Sequence, residues 1–342
     1  MKRLLLWLGF VLALFSSCSK DVNLLADYKE VPIIYGILNA KADTNFIKIT
    51  RAFYANSDAY EVAGNPDSSN YPGKLNVRLV EFQNGDPVRT IILDTIIIHN
   101  KQPGVFYGSD QKLYYTTERL NMCDKFNKYQ YELQIDLPDQ TLKTKTDVVG
   151  NNSFRIETGA VNFSKEYFGT RRPFLFAPAL NASIYDVNIA FTFLEQRTPD
   201  EDSVPRTMNW NLGYLTDYEL SQNMDGKFYI FYCRPERFHE MLRDFIGGDT
   251  SIAGLSRYIT DYPIEVTLAA GGESLYRYIH FNGLSDASFS PGDNEFSVID
   301  GAYGVFSSRM VVKRKLRLAG TTVPELLAKR NWGFKFIGGK EE

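Results

Sequence analysis

Histidine and cysteine are scarce in this chain, with three of each among 342 residues. Metal and thiol enzymes build their sites from these side chains, so the composition offers little material for either class. Neither sign of charge is in large excess, since the chain has 38 Lys and Arg and 41 Asp and Glu residues. Its formal net charge is −3. Nucleic-acid-binding proteins usually carry a strong basic excess, so nothing in the composition suggests that class, and we expect no nucleic-acid partner.

Long hydrophobic runs are also missing. The apolar run from Leu4 to Phe15 is shorter than the roughly 20 residues that cross a bilayer. Lys2 and Arg3 precede it, and a basic start before a short apolar run is typical of a secretory signal peptide. The run ends in two serines and Cys18, which resembles a lipobox. We expect cleavage before Cys18 and lipidation of its sulfur; the alternative is an ordinary signal peptide with an incidental cysteine.

The pattern that dominates the rest of the chain is β. Apolar and polar residues alternate with a period of two over 131–137, 187–193, 208–214 and 264–270. Other stretches rich in β-branched and aromatic residues are Val31–Leu38, Phe46–Phe53, Leu75–Phe82 and Ile91–Ile98. Frequent turn signals separate the predicted strands. Many short strands with one polar face predict antiparallel sheets and a mostly β fold.

Two segments interrupt this pattern with helical spacing. Arg234–Ile246 opens with Pro235 and places apolar residues on one helix face until the glycines at 247 and 248. Pro324–Lys329 is a shorter predicted helix.

The chain divides into four predicted segments. Residues 1–17 are the signal peptide and 18–30 a lipidated tether. Residues 31–150 are expected to form an immunoglobulin-like β-sandwich, because a strand pair around Pro138 ends them as the last hairpin of such a sandwich would. Residues 151–342 are expected to form a second β-rich domain with a helix near 235–246.

Two cysteines remain after Cys18. Cys123 and Cys233 lie in different predicted domains. An exported protein could join them in a disulfide, but two buried free thiols are the preferred interpretation, because cysteine is a common small core residue.

No motif in the sequence predicts catalysis, a metal or a cofactor. A zinc-protease helix needs a second histidine four residues after the first, and Arg243 stands there after His239. His99 and His280 fall on separate predicted strands. No nucleophile elbow of the Gly-x-Ser-x-Gly type occurs. We therefore predict a protein that is not an enzyme; an uncharted hydrolase remains a third-ranked alternative.

Several segments carry a resemblance to a known family. They are the lipobox cysteine with the acidic Asp21 after it, PIIYGILNAKADTNFIKITRAF, YELQIDLPDQTLKTKTDVVG and DNEFSVIDGAYGVFSSR. Together they resemble a large Bacteroidota family of outer-membrane lipoproteins of unknown function. The resemblance implies a two-domain β architecture, an outer-membrane location and a place beside transport, secretion or assembly machinery. It supplies no catalytic residues, and it leaves open whether the anchor lies in the cell-surface or the periplasmic leaflet.

A basic row near the C-terminus is the first of two predicted surfaces. Arg309, Lys313, Lys315 and Arg317 alternate with mostly apolar residues, so one strand face is basic. One interpretation is that these charges keep an exposed sheet edge from pairing with another molecule and aggregating. The other is that they contact a negatively charged partner, either lipopolysaccharide or an acidic protein.

The second predicted surface is aromatic, since Phe, Trp and Tyr make up 14% of the chain. Trp210 and nearby tyrosines could stack on sugars, while exposed aromatics also suit protein interfaces. The sequence thus favours a non-enzymatic accessory or binding subunit of an outer-membrane complex. The alternative is a surface glycan-binding lipoprotein for nutrient capture.

Overall fold

A computed structural model describes residues 31–52, 69–99, 111–248, 254–283 and 299–336. The prediction of a mostly β protein is confirmed, because strands outnumber helices throughout these ranges. The strands of the first part are β1 (Pro32–Leu38), β2 (Asn45–Arg51), β3 (Asn76–Gln83), β4 (Asp86–Ile92), β5 (Asp94–Ile98), β6 (Gln111–Thr116), β7 (Tyr129–Asp136) and β8 (Thr141–Asp147).

The later strands are more unequal in length. They are β9 (Arg155–Ile156), β10 (Ala160–Val161), β11 (Arg172–Ala177), β12 (Ile184–Gln196), β13 (Val204–Thr216), β14 (Met224–Asp225), β15 (Phe228–Cys233), β16 (Ser256–Ile259), β17 (Ile264–Gly271), β18 (Tyr303–Leu318) and β19 (Phe334–Phe336). Four α-helices lie among the described residues: α1 (Asp217–Ser221), α2 (Pro235–Phe245), α3 (Glu273–Gly283) and α4 (Thr322–Ala328). The predicted helices near 235–246 and 324–329 correspond to α2 and α4.

Strand pairing among the described residues produces three sheets. The largest has eleven strands, with the order β19-β16-β12-β17-β18-β1-β2-β6-β5 and with β13 and β10 attached to β12 and β18. The two others have four strands each, in the orders β4-β3-β7-β8 and β14-β15-β11-β9. Side chains of β1, β2 and β6 pack with those of β3, β7 and β8 in one core, so the first eight strands enclose apolar residues between two sheets.

A two-residue turn explains how β3 and β4 pair. Asn84 and Gly85 both have positive φ, at 54° and 99°, and they connect Gln83 to its register partner Asp86. Asn-Gly is the favoured sequence for such a hairpin turn, because both positions adopt left-handed conformations.

One strand prediction is wrong in its extent. Ile91–Ile98 was expected to be a single strand, yet β4 ends at Ile92 and β5 begins at Asp94 in a different sheet. Leu93 lies between them, buried, and its N–H donates to the Val77 carbonyl at 2.9 Å. The chain crosses there from one sheet to the other, and the local hydrophobic pattern does not record that crossing.

The long strand β18 belongs to both halves of the protein. Its first part, up to Ser308, pairs in parallel with β1, and its second part, from Arg309 to Leu316, pairs antiparallel with β17. Phe306 accordingly lies in the core shared with β1, while Met310 lies in a second core. The two parts of the chain are therefore joined by one continuous sheet.

The second core lies between the large sheet and the sheet containing β11 and β15, with α2 packed against it. Phe238 stacks on Phe163 with ring centroids 4.4 Å apart. A buried ion pair fixes the end of α2: the Arg257 Nε donates to Glu195 at 3.0 Å, and the Arg257 guanidinium also donates to the Trp332 and Ile246 carbonyls. Arg206 provides a second charged donor to Glu195.

Candidate functional site

The basic residues predicted to form a partner surface are all exposed on one face of β18: Arg309, Lys313, Lys315 and Arg317. Lys313 forms an ion pair with Glu265 on β17, with 3.2 Å between Nζ and Oε1. The guanidinium of Arg317 lies 4.9 Å from the centre of the Tyr262 ring. Along this row β18 pairs with β17 on one side, while on the other side β1 pairs only as far as Ser308 and β10 begins at Arg317. Among the described strands the row therefore lies on a sheet surface whose far side is an edge, as the edge-strand alternative expects.

We call this surface the outer face. It is the side of the eleven-stranded sheet turned away from the cores, and strand registers extend it to Ala269 on β17, Asp186 on β12, Tyr214 on β13 and Tyr35 on β1. Tyr35 and Tyr214 are 43% and 59% exposed. The outer face therefore combines the basic side chains of β18 with aromatic side chains of β1 and β13, which lie far apart in the sequence.

Helix α3 lies on the outer face where β1 meets β18. The Leu275 N–H donates to the Ser307 hydroxyl at 3.2 Å, which fixes the start of the helix on β18. Tyr278 contacts Tyr35 edge-to-face with ring centroids 6.1 Å apart. Ser307 is fully buried under this helix, and Val305 on the same strand face is 3% exposed.

Sequence reasoning missed this helix. His280 was expected on a strand, but it lies in α3. The signal that could have identified the helix is the apolar set Leu275, Tyr278 and Ile279, at the i, i+3 and i+4 spacing of one helix face. Two glycines before Glu273 indicated a turn, and the turn leads into α3 rather than another strand.

A cavity of about 220 Å³ opens beside α3 on the outer face. Its floor is on β17, where Ala269 and Gly271 carry almost no side chain. A Cβ on Gly271 would lie 2.8 Å from Leu275 and 3.1 Å from Ile184, so glycine allows the helix to approach the sheet closely. The remaining apolar wall consists of Ile37, Ile184, Tyr214, Leu275 and Ile279.

Two charged side chains line the same cavity. Asp186 lies on β12 and Arg309 on β18, with β17 between them. Asp186 Oδ1 accepts a hydrogen bond from the Asn211 amide at 3.2 Å. Within the described ranges the Arg309 guanidinium has no carboxylate or carbonyl partner. A guanidinium beside an apolar wall is suited to a ligand with an acidic group and a hydrocarbon part.

Trp210 does not contribute to an exposed surface, and the predicted aromatic platform containing it is wrong. Its side chain is 7% exposed and belongs to the second core. Its ring lies 6.2 Å from that of Phe163. Trp210 points inward, where Phe163 and α2 lie over its side of β13. The predicted alternation is right as far as Trp210 but wrong at its end, because the register with β12 shifts between Asp186 and Asn188 and this bulge turns Tyr214 to the opposite, exposed face.

His239 lies in the helix and position predicted for it, in a buried environment. Its Nε2 donates to the Phe163 carbonyl at 2.8 Å. Burial lowers the pKa of this imidazole, so the neutral form is favoured near pH 7. No group of three His, Cys, Asp or Glu side chains in the described parts of the chain is arranged to hold a metal ion.

A second titratable cluster lies in the first core. Tyr131 donates to the buried Glu81, which also accepts hydrogen bonds from Arg89 at 2.7 Å and Asn121 at 2.9 Å. Burial alone raises the pKa of Glu81, but these donors outweigh it and hold the pKa below its usual value. Burial, and then the bond to Glu81, raise the pKa of Tyr131. Both carboxylate oxygens of Glu81 accept hydrogen bonds here. We therefore assign the cluster a structural role, as for other buried polar groups that are fully hydrogen-bonded.

Cys123 and Cys233 are both buried free thiols and form no disulfide with each other. This agrees with the preferred interpretation of the sequence. Burial raises the pKa of both thiols, and that of Cys233 reaches about 12. Cys18 and the signal segment lie outside the described residues. No helix in the described ranges has the length and apolarity needed to cross a membrane.

The sequence matches no protein-family model and no curated protein.

Proposed function

We propose that this protein is a lipid-anchored outer-membrane lipoprotein that binds a protein partner through the outer face. It would act as a non-enzymatic accessory or binding subunit of a transport, secretion or assembly complex. The observation that carries the proposal is the outer face, where exposed Tyr35 and Tyr214 accompany a row of lysines and arginines. Aromatic residues and arginine are enriched at protein interfaces, and a basic row attracts an acidic partner.

The anchor in this proposal is Cys18. A basic start, a short apolar run and a cysteine after small residues support export and lipidation, and several acyl chains make attachment stable. Cys18→Ser should move the protein from the membrane fraction to the soluble fraction. Retention of this variant in membranes after a high-salt wash would contradict lipid anchoring.

The partner is tested by purification from native membranes in mild detergent, with mass spectrometry of the proteins that co-purify. The outer-face variant carries Lys315→Glu and Arg317→Glu. A control with Lys125→Glu and Lys143→Glu changes the net charge equally at exposed positions elsewhere. We expect a stoichiometric outer-membrane barrel or secretion subunit with the wild type and the control, and its loss from the outer-face variant. Recovery of the protein alone in every case would contradict the accessory role and favour glycan binding.

We further infer that residues 31–150 form an immunoglobulin-like sandwich. The orders β1-β2-β6-β5 and β4-β3-β7-β8 match the A-B-E-D and C′-C-F-G orders of that fold. The Tyr131 hydroxyl accepts from the Asn121 N–H at 2.8 Å near the start of β7, which is similar to a tyrosine corner. An experimental structure of the chain tests the assignment; strands pairing in another order would overturn it.

The division into a sandwich and a second domain after residue 150 is likewise a proposal. Val148 packs in the first core and Val149 in the second, which supports a boundary there. Because β18 also completes the first sheet, we expect a fragment ending at residue 150 to unfold at lower urea concentration than the full chain. Equal stability would show that the sandwich does not need β18.

A further inference from the structure

We propose that the cavity beside α3 binds a small aliphatic α-amino acid of about the size of leucine. This inference goes beyond the proposed function and does not depend on any protein partner. It rests on the combination, within one cavity, of an apolar wall, a guanidinium and a carboxylate. These are the groups that recognise a hydrocarbon side chain, an α-carboxylate and an α-ammonium respectively.

The size of the cavity limits the ligand. Its volume of about 220 Å³ is below the roughly 300–1,000 Å³ of sites that take drug-sized molecules. The small residues Ala269 and Gly271 at the floor, with Ile184, Leu275 and Ile279 around it, leave room for one branched hydrocarbon group.

Arg309 would receive the carboxylate. Its guanidinium reaches the cavity from β18 and has no acidic partner within the described ranges, whereas Lys313 on the same strand face is paired with Glu265. Arginine binds a carboxylate with two parallel hydrogen bonds.

Asp186 would receive the ammonium group from the opposite wall. Strands β12 and β18 are separated by β17, which at about 4.8 Å per strand places the two backbones about 10 Å apart. Both charged side chains extend from these strands into the cavity. The Asn211 amide holds one oxygen of Asp186, which orients the carboxylate and leaves the second oxygen as an acceptor. A zwitterion lying across β17 would satisfy both charges at once.

Isothermal titration calorimetry on the full chain in mild detergent tests this assignment. The probes are L-leucine, 4-methylpentanoate, which lacks the ammonium group, and 3-methylbutylamine, which lacks the carboxylate. We expect saturable heat with L-leucine and at least tenfold weaker binding of both analogues, because each leaves one charged group without its partner. Equal binding of 4-methylpentanoate would overturn the assignment to amino acids, and the absence of saturable heat with millimolar L-leucine would overturn the site.

Three variants locate the binding. Arg309→Gln should weaken L-leucine binding at least tenfold, and Ala269→Leu should abolish it by filling the floor. Lys315→Gln is the matched control, because it removes a positive charge from the same face of β18 outside the cavity. Thermal unfolding followed by circular dichroism verifies that each variant is folded. If Arg309→Gln and Lys315→Gln bind L-leucine as the wild type does, the cavity is not the site. Loss of a protein partner in the purification above would leave these titrations unchanged, so the two proposals fail independently.

Discussion

Gly304 lies directly against the backbone of Ile34. The two residues are register partners where β18 pairs in parallel with β1, and a Cβ on Gly304 would lie 2.0 Å from the Ile34 carbonyl oxygen. Gly304 also has a φ of +101°, which an L-residue adopts only with strain. This close contact is where the second part of the chain returns to complete the first sheet.

We predict that Gly304→Ala destabilises the protein by at least about 2 kcal/mol, since backbone strain costs about 1–3 kcal/mol and the new methyl group must also displace β1. Urea unfolding followed by circular dichroism measures the change. Gly301→Ala is the control: its φ is +74°, and no atom lies within 4 Å of the added Cβ. It should cost only about 1 kcal/mol of strain. Similar losses from both substitutions would contradict the steric argument.

Glu195→Gln should be among the most destabilising polar substitutions in the second core. It leaves the buried Arg257 without a counter-charge, and removing one partner of a buried ion pair costs about 3–5 kcal/mol. Glu265→Gln breaks the exposed pair with Lys313 and should cost no more than about 1 kcal/mol. Urea unfolding of both variants tests this. A loss below 1 kcal/mol for Glu195→Gln would show that its charge is not needed.

The contribution of Glu81 should depend on pH. Its pKa in the folded protein is lowered, so its stabilisation is fully present above the unfolded value of about 4.3 and is lost as pH falls through the folded pKa. The free energy of unfolding of the wild type should therefore exceed that of Glu81→Gln at pH 7, and this difference should shrink towards pH 3. Urea titrations at several pH values measure it. A difference that grows on acidification would be the opposite of this expectation.

The cysteines provide a chemical test of burial and lipidation together. The thiolate is the reactive species, and burial raises the pKa of Cys123 and Cys233, so neither should react with a thiol reagent in the native protein at pH 8. Denaturant should expose both. If the Cys18 sulfur carries lipid, the denatured membrane form titrates two thiols, whereas a third reactive thiol would contradict lipidation. Rapid labelling of Cys233 in the native protein would contradict its burial.

The sequence by itself determined the strands with clear period-two alternation, such as β7, β12 and β17, together with the helix α2 and the mostly β class. These follow from local periodicity, because alternation along 187–193 and 264–270 requires one buried and one wet face wherever the strands lie. The basic row on β18 also follows from local alternation, because its residues lie on one face of a single strand. The free state of Cys123 and Cys233 was also the preferred interpretation from composition.

Only the tertiary structure decided which face points inward and which segments meet. Trp210 is buried because distant elements cover its side of β13, and period-two alternation is identical for either face. The cavity combines Ile37, Asp186, Ala269, Leu275 and Arg309 from five elements. Such a site depends on strand order across a sheet, which arises from pairing between residues far apart in sequence. No local pattern encodes that order, so the outer face became visible only in the folded chain.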